Sequence, residues 1–145
     1  MSDAASMVAE WTCRKQLLAF YAAIDAARFA DLPAFFTEDC AWTRSGAVAR
    51  GRAGIAKIYE GRAAGTPARH IVTNLTASAT APDAVDFSLC ITYYTASRGE
   101  TVPTVSGPTM ILSSFGQMAL RDGRWLVREM ETVREFMIGT PAGHS

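Results

Sequence analysis

The sequence is poor in the residues from which most metal, redox and nucleotide sites are built. It has three cysteines, two histidines and six prolines among its 145 residues. An odd number of cysteines without paired spacing does not predict a disulfide framework, and two histidines are too few for a multi-histidine metal site. The chain also lacks a glycine-rich phosphate loop and a G-x-S-x-G nucleophile motif. These absences exclude zinc enzymes with several histidine ligands, P-loop proteins and α/β-hydrolases.

The sequence also lacks an excess of charge and a long apolar run. Fourteen Lys and Arg residues balance fourteen Asp and Glu residues. Without a basic cluster, neither nucleic acid nor an anionic membrane surface is the expected partner. No stretch approaches the roughly 20 apolar residues that span a bilayer, and the first residues do not read as a signal peptide. Because the cysteines are unpaired, we expect a cytoplasmic protein.

The composition is sufficient for one packed domain. Apolar residues make up 49% of the chain and charged residues 19%, which is typical of a globular protein. We expect a single domain over residues 1–145, with its core over about 5–137 and a frayed tail over 138–145.

The first half of the chain has helical periodicity. Residues 4–28 predict a long helix, because apolar side chains recur at i, i+3, i+4 and i+7 in Leu17, Phe20, Tyr21 and Ile24. Asp31 is predicted to be the N-cap of a short second helix, with Pro33 in its first turn. Gly51 opens a third predicted helix, which Gly61 ends.

From residue 69 onward the apolar period changes to two. Residues 69–80, 84–96, 108–120 and 123–136 predict four long antiparallel strands, after short strands near 40–44 and 47–50. This order of elements predicts an α+β fold. A sheet with strands this long curls, so three helices do not fill its concave face and an apolar pocket is expected there. The strand at 108–120 is apolar on both faces, which predicts that a second copy covers its outer face in a homodimer.

Two polar residues stand out in apolar surroundings. Asp25 lies one helical turn after Tyr21, on or beside the stripe that faces the sheet, where an unpaired carboxylate is costly to bury. His70 lies at the start of the first long strand. If His70 points into the pocket, Asp25 can fix its tautomer and raise its basicity. Two plainer interpretations remain: a solvated Asp25 paired with Arg28 or Arg69, and a His70 bonded only to backbone.

Several segments resemble the nuclear-transport-factor-2-like superfamily, specifically its SnoaL-like branch. The resemblance covers about residues 9–136 and rests on the segments FYAAIDAARFADL, FFTEDCAW, GRAGIAKIY, ARHIVTNLTA and DGRWLVREMETV. It implies a cone-shaped, curved mixed or antiparallel sheet, with the three helices of the N-terminal half packed on its concave face, a cystatin-like roll.

The resemblance implies a range of functions. The superfamily includes scytalone dehydratase, steroid isomerase, polyketide cyclases, limonene-epoxide hydrolase and non-catalytic subunits, so the fold does not name the reaction. In scytalone-dehydratase-like members, an Asp near the end of the first helix orients a His at the start of the first long strand. Asp25 and His70 stand at the matching positions. The chain departs from that pattern because it has no second pocket histidine.

We therefore expect a lyase or isomerase that needs no cofactor and no metal and acts on a small hydrophobic carbonyl or hydroxyl compound. Asp25 and His70 are the predicted catalytic pair, and Tyr21 or Tyr59 would hold the substrate oxygen. The expected apolar wall consists of Trp42, Phe87, Tyr93, Met110 and Leu112. A neutral, aromatic pocket of this kind would suit an aromatic or polycyclic substrate.

The alternative function is a non-catalytic module that binds a ligand or assembles an oligomer. The Arg69-His70…Asn74 pattern also resembles the β subunits of ring-hydroxylating dioxygenases, which serve mainly in assembly. The expected partners are a small hydrophobic ligand and a second copy of the chain, in a homodimer or a higher homo-oligomer.

Overall fold

The computed structural model describes residues 2–62, 65–97, 99 and 101–139. The predicted frayed tail therefore lies outside the described residues from 140 onward. In chain order the elements are helix α1 (Asp3–Asp25), a 3₁₀ helix (Phe29–Phe35), strands β1 (Phe36–Arg44) and β2 (Ala47–Arg50), helix α2 (Gly51–Tyr59), and strands β3 (Ala68–Ala81), β4 (Ala84–Thr95), β5 (Met110–Arg121) and β6 (Arg124–Met137).

The described strands form one mixed sheet. Their order is β2-β1-β6-β5-β4-β3, with β1 parallel to β6 and every other neighbouring pair antiparallel. The helices cover one face of this sheet, which we call the inner face, and the buried core lies between them. The predicted α+β fold, with the helices on one face of a mixed sheet, is confirmed.

Helix α1 ends earlier than the sequence predicts. Its last helical residue is Asp25, and the chain then turns through Ala27 in the left-handed conformation, with φ +57°. The N–H of Ala27 donates to the carbonyl of Ile24 and the N–H of Arg28 to that of Ala23, both at 2.9 Å. This is a Schellman ending, which glycine usually marks. Because alanine occupies the left-handed position here, the sequence gives no stop signal.

The prediction that Asp31 caps the second helix is wrong. Asp31 lies inside the 3₁₀ helix, which Arg28 precedes without a side-chain capping bond. The Asp31 carboxylate lies instead 3.8 Å from the Arg28 guanidinium. Pro33 within the segment has no N–H to donate, which favours a short 3₁₀ turn over a regular α-helix.

Several register shifts interrupt the long strands. One lies between Thr73 and Thr76 of β3, where Asn74 has φ +51°. Two others lie in the β5–β6 pairing, beside Ile111 and Gln117. A β-bulge bends the strand that carries it and increases its twist. The sheet therefore does not pack flat against the helices along its whole length.

Gly116 lies where β5 approaches β6 most closely. A β-carbon at this position would overlap the backbone carbonyl of Glu129. We predict that Gly116→Ala lowers the free energy of unfolding by about 1–3 kcal/mol, because the backbone must move to admit the methyl group. Urea unfolding measures this loss. The control is Gly107→Ala, whose added carbon meets nothing within 4 Å, and equal midpoints for the two variants would contradict the prediction.

Candidate active site

Asp25 and His70 are in direct contact. The Asp25 Oδ1 lies 2.6 Å from the His70 Nδ1, and the backbone N–H of His70 donates to Oδ2 at 2.9 Å. Both side chains are buried, with 7% and 10% of their surface exposed. The guanidinium of Arg69 lies 4.0 Å from Oδ2 but is mostly exposed. Of the interpretations left open by the sequence, the solvated Asp25 is wrong, and His70 is bonded to a carboxylate rather than only to backbone.

The contact fixes the tautomer of His70. A carboxylate only accepts hydrogen bonds, so Nδ1 carries the proton and Nε2 is the basic nitrogen. Burial lowers the pKa of His70 below its ordinary value, outweighing the hydrogen bond and charge of Asp25, which raise it. Asp25 therefore raises the basicity of His70 as expected, but burial lowers the pKa by more. His70 is neutral at pH 7, with Nε2 unprotonated.

His70 borders a cavity of about 200 Å³ between the helices and the inner face of the sheet. Seven of the predicted site residues line it: Tyr21, Trp42, Tyr59, His70, Tyr93, Met110 and Leu112. Asp25 lies behind His70 and does not face the cavity. Phe87 is not among the lining residues either. It is buried in the core, six residues before Tyr93 on the same strand face, where the helices cover the sheet closely.

Cross-strand pairing places the cavity wall in rows. His70 is paired with Tyr93, and Tyr93 with Met110. In the next inward-facing row, Ile91 is paired with Leu112. The rings of His70 and Tyr93 have centroids 4.8 Å apart. The alternation of β4 thus sets one aromatic ring beside the imidazole and aliphatic side chains deeper in the cavity.

Four polar side chains form a hydrogen-bonded network at the base of the cavity. The Tyr21 hydroxyl donates to the Ser114 Oγ at 3.3 Å, and the Trp42 Nε1–H donates to the Thr132 Oγ1 at 2.9 Å. Ser114 and Thr132 are joined hydroxyl to hydroxyl at 2.7 Å. Buried polar atoms are costly without partners, and these side chains satisfy one another. Burial also raises the pKa of Tyr21, so its hydroxyl keeps its proton.

Two other tyrosine hydroxyls are better placed to contact a ligand. Tyr93 accepts a hydrogen bond from the Arg62 guanidinium at 2.9 Å, which leaves its own O–H to donate. Tyr59 stacks on Phe29 with ring centroids 5.3 Å apart, and burial raises its pKa to about 12. Within the described part of the chain, the Tyr59 hydroxyl has no hydrogen-bond partner. The Tyr59 and Tyr93 hydroxyls therefore remain available to donate to a ligand, whereas the Tyr21 hydroxyl already donates to Ser114.

Three arginines that were not predicted from the sequence line the cavity. Arg44, Arg62 and Arg134 are among its lining residues, so the cavity is not neutral as expected. Alternation could have identified Arg44, which lies two residues after Trp42 on β1 and shares its face. The bulge beside Ile111 shifts the register of β6 at Arg134, and Arg62 follows α2 in a loop, so neither is evident from periodicity.

The described residues contain neither a metal-binding cluster nor a helix that could span a membrane. No three His, Cys, Asp or Glu side chains come together there as a metal site would require. None of the described helices has the length and apolar character needed to cross a membrane.

The fold recurs in solved structures of low sequence identity. A scytalone-dehydratase-like protein from Novosphingobium aromaticivorans is 16% identical with a TM-score of 0.75, covering 88% of this chain and 84% of its own. A hexachlorocyclohexane dehydrochlorinase from Novosphingobium barchaimii is 14% identical with a TM-score of 0.78, covering 99% and 98%. The β subunit of an aromatic-ring-hydroxylating dioxygenase-like protein from Novosphingobium aromaticivorans is 15% identical with a TM-score of 0.73, covering 91% and 92%.

These likenesses show a shared fold and no more. No curated protein matches the chain. The family model of the SnoaL-like domain, in contrast, matches residues 17–128, which is most of the sequence and includes both Asp25 and His70. The chain therefore belongs to the SnoaL-like family of the nuclear-transport-factor-2-like superfamily.

Proposed function

We propose that the protein is a cofactor-independent lyase or isomerase that acts on a small hydrophobic carbonyl or hydroxyl compound. His70 is the general base and Asp25 its positioning residue. The observation that carries the proposal is the buried contact of 2.6 Å between Asp25 Oδ1 and His70 Nδ1. It leaves a neutral imidazole with Nε2 available at a cavity that holds hydroxyl donors, and this combination suits general acid–base catalysis.

In the proposed reaction, Nε2 of His70 removes a proton from the carbon next to a carbonyl group. The electrons of the broken C–H bond move toward the carbonyl oxygen, which Tyr59 or Tyr93 stabilises by donating a hydrogen bond. In a lyase, the C–O bond at the β-carbon then breaks, and the imidazolium returns the proton to the leaving oxygen, so that water departs. In an isomerase, the proton returns to a different carbon.

The structural neighbours are compatible with this proposal. Two of the three bear names that denote elimination, a dehydratase and a dehydrochlorinase, and β-elimination removes a proton from one carbon and a leaving group from its neighbour. The third neighbour, a dioxygenase β subunit, supports the alternative that the chain is a non-catalytic module. A module of that kind does not need a buried acid–imidazole pair at an open cavity, and for this reason we favour the enzyme.

We predict that His70 titrates below the ordinary histidine pKa of about 6.5, since burial lowers its pKa. Asp25→Asn should lower this pKa further, because the Asp25 carboxylate raises it. Proton NMR of the imidazole resonances measures both values, and His70→Gln assigns them, since the chain has two histidines. A His70 pKa above 6.5, or one that Asp25→Asn leaves unmoved, would show that the two groups are not coupled as proposed.

We predict that His70→Ala reduces turnover about 10²–10⁴-fold, the usual contribution of a general base. The assay uses monocyclic ketones and β-hydroxy ketones as substrates. Deuterium uptake next to the carbonyl measures proton removal, and the absorbance of the conjugated product measures loss of water. Because His70 must be neutral, kcat/KM should be constant through neutral pH and fall on the acid side, below the ordinary histidine pKa.

Tyrosine variants provide a matched control for this assay. Tyr59→Phe and Tyr93→Phe should each lower turnover about 2–10-fold, the usual effect of losing one neutral hydrogen bond. Tyr94 is the neighbour of Tyr93 on the opposite face of β4, so Tyr94→Phe should leave turnover unchanged. Wild-type turnover in His70→Ala would exclude His70 as the general base and overturn the proposed mechanism.

We also propose that the chain forms a homodimer through the outer face of the sheet. Cross-strand pairing places Ile71, Thr92, Ile111 and Phe136 in one row. Phe115 lies four residues after Ile111 on the same face of β5, and 43% of its surface is exposed, as is 64% of Phe136. Packing this apolar surface against its own copy would be self-complementary, as a two-fold interface requires.

We predict that light scattering gives a mass of twice 15.6 kDa for the wild type and a smaller mass for Phe115→Glu, because a buried charge disfavours the interface. Trp11→Glu is the control, since Trp11 is exposed on the outer side of α1. A wild-type monomer, or a dimer that only Trp11→Glu dissociates, would exclude the sheet interface.

We propose the cytoplasm as the location of the protein. Cys13, Cys40 and Cys90 are free. Burial raises the pKa of Cys13 to about 12 and also raises that of Cys40, so both remain unreactive thiols. Free thiols are typical of a reducing compartment.

A further inference from the structure

Three positive charges border the cavity without a compensating negative charge. The lining residues include Arg44, Arg62 and Arg134 and contain no Asp or Glu. The carboxylate of Asp25 is already bonded to the backbone and the imidazole of His70. Across the described residues, none of the three arginines forms an ion pair. The cavity is therefore electropositive on one side and apolar on the other.

Aromatic rings hold two of these guanidinium groups at the cavity. Arg44 lies over the ring of Trp42 at 4.7 Å, and Arg62 lies 5.8 Å from the ring of Tyr59. Arg62 also donates a hydrogen bond to Tyr93 at 2.9 Å. Cation–π contact satisfies a guanidinium face but leaves its N–H edge free. Most of the donors on Arg44 and Arg62 thus remain available to a ligand.

The third arginine lies on the adjoining strand. Arg134 is paired with Leu112 across β5 and β6, so it extends the inward-facing row in which Leu112 is paired with Ile91. Arg44 and Arg62 line the same cavity as His70, and their positive charges both lower the pKa of its imidazole. Like charges that converge on one small cavity repel one another, and a bound anion would relieve that repulsion.

The size of the cavity limits the rest of the ligand. Its volume is about 200 Å³, whereas an apolar protein cavity of about 150 Å³ is known to hold benzene. One ring with a short substituent therefore fits inside the cavity, which favours the aromatic over the polycyclic substrate among those expected from the sequence.

We propose that the substrate is an oxyanion, a carboxylate or phosphate ester, attached to an apolar body about the size of one ring. The apolar body lies against Tyr93, Met110 and Leu112, and the oxyanion is bound by Arg44, Arg62 and Arg134. Guanidinium groups suit this role because their paired N–H donors match the oxygens of a carboxylate or phosphate. This inference names the substrate class of the proposed enzyme and rests on that proposed function.

The test measures binding rather than turnover, so that its failure differs from failure of the catalytic proposal. Benzoate, phenylacetate and phenyl phosphate are titrated into the wild-type protein, beside the uncharged benzamide and phenylacetamide, and the His70 imidazole resonance is followed by NMR. At least one oxyanion should bind about tenfold or more tightly than its uncharged counterpart. Its binding should weaken with added salt and should raise the His70 pKa. Comparison of benzoate with phenyl phosphate decides which oxyanion is preferred.

Arginine variants locate the charge preference. Arg62→Gln and Arg44→Gln should each reduce oxyanion affinity about tenfold while changing benzamide affinity little. The control is Arg14→Gln on the exposed side of α1, which should change neither, and circular dichroism checks that every variant is folded. The proposal is overturned if no oxyanion shifts the His70 resonance, if charged and uncharged ligands bind alike, or if the preference survives in Arg44→Gln/Arg62→Gln. If charged and uncharged ligands bind equally, the arginines would instead stabilise the negative charge that develops on the substrate oxygen during the reaction.

Discussion

The arrangement of the site depends on the hydrogen bonds between Asp25 and His70. One carboxylate connects the end of α1 to the start of β3, since its two oxygens accept from the imidazole and from the backbone of the same residue. The Schellman ending at Ala27 is what releases the chain directly after Asp25. The same contact determines which imidazole nitrogen is basic, so a structural bond between helix and sheet also defines the chemistry of the cavity.

Burial and charge act in opposition on that imidazole. The carboxylate favours protonation of His70, whereas desolvation and the nearby arginines disfavour it, and desolvation is the largest of these effects. The result is a neutral base rather than a permanent imidazolium. Tyr59 also keeps its proton, because burial raises its pKa more than the nearby Arg44 and Arg62 lower it. The cavity thus combines a neutral imidazole, tyrosine hydroxyls and the guanidinium groups that we propose bind an anion.

Strand alternation separates two different surfaces. On β4, Tyr93 faces the cavity while its neighbours Thr92 and Tyr94 face outward. On β5, Ser114 belongs to the buried hydroxyl network, whereas Phe115 is exposed on the outer face. One set of residues therefore forms the proposed site and the intervening set forms the proposed dimer surface, so substitutions on one face leave the other largely unaffected.

The sequence predicts the fold class and the four long strands within one or two residues from its periodicity, and it marks Asp25 and His70 as candidates because a lone carboxylate in apolar surroundings is a local signal. It did not determine the end of α1, since alanine stands where glycine usually marks a left-handed turn. The folded structure is needed to show that Phe87 belongs to the core, that burial outweighs Asp25 in setting the pKa of His70, and that three arginines share the cavity. Each of these depends on which strands meet and how closely the helices cover them, and bulges and loop geometry set those distances without leaving a periodic signal in the sequence.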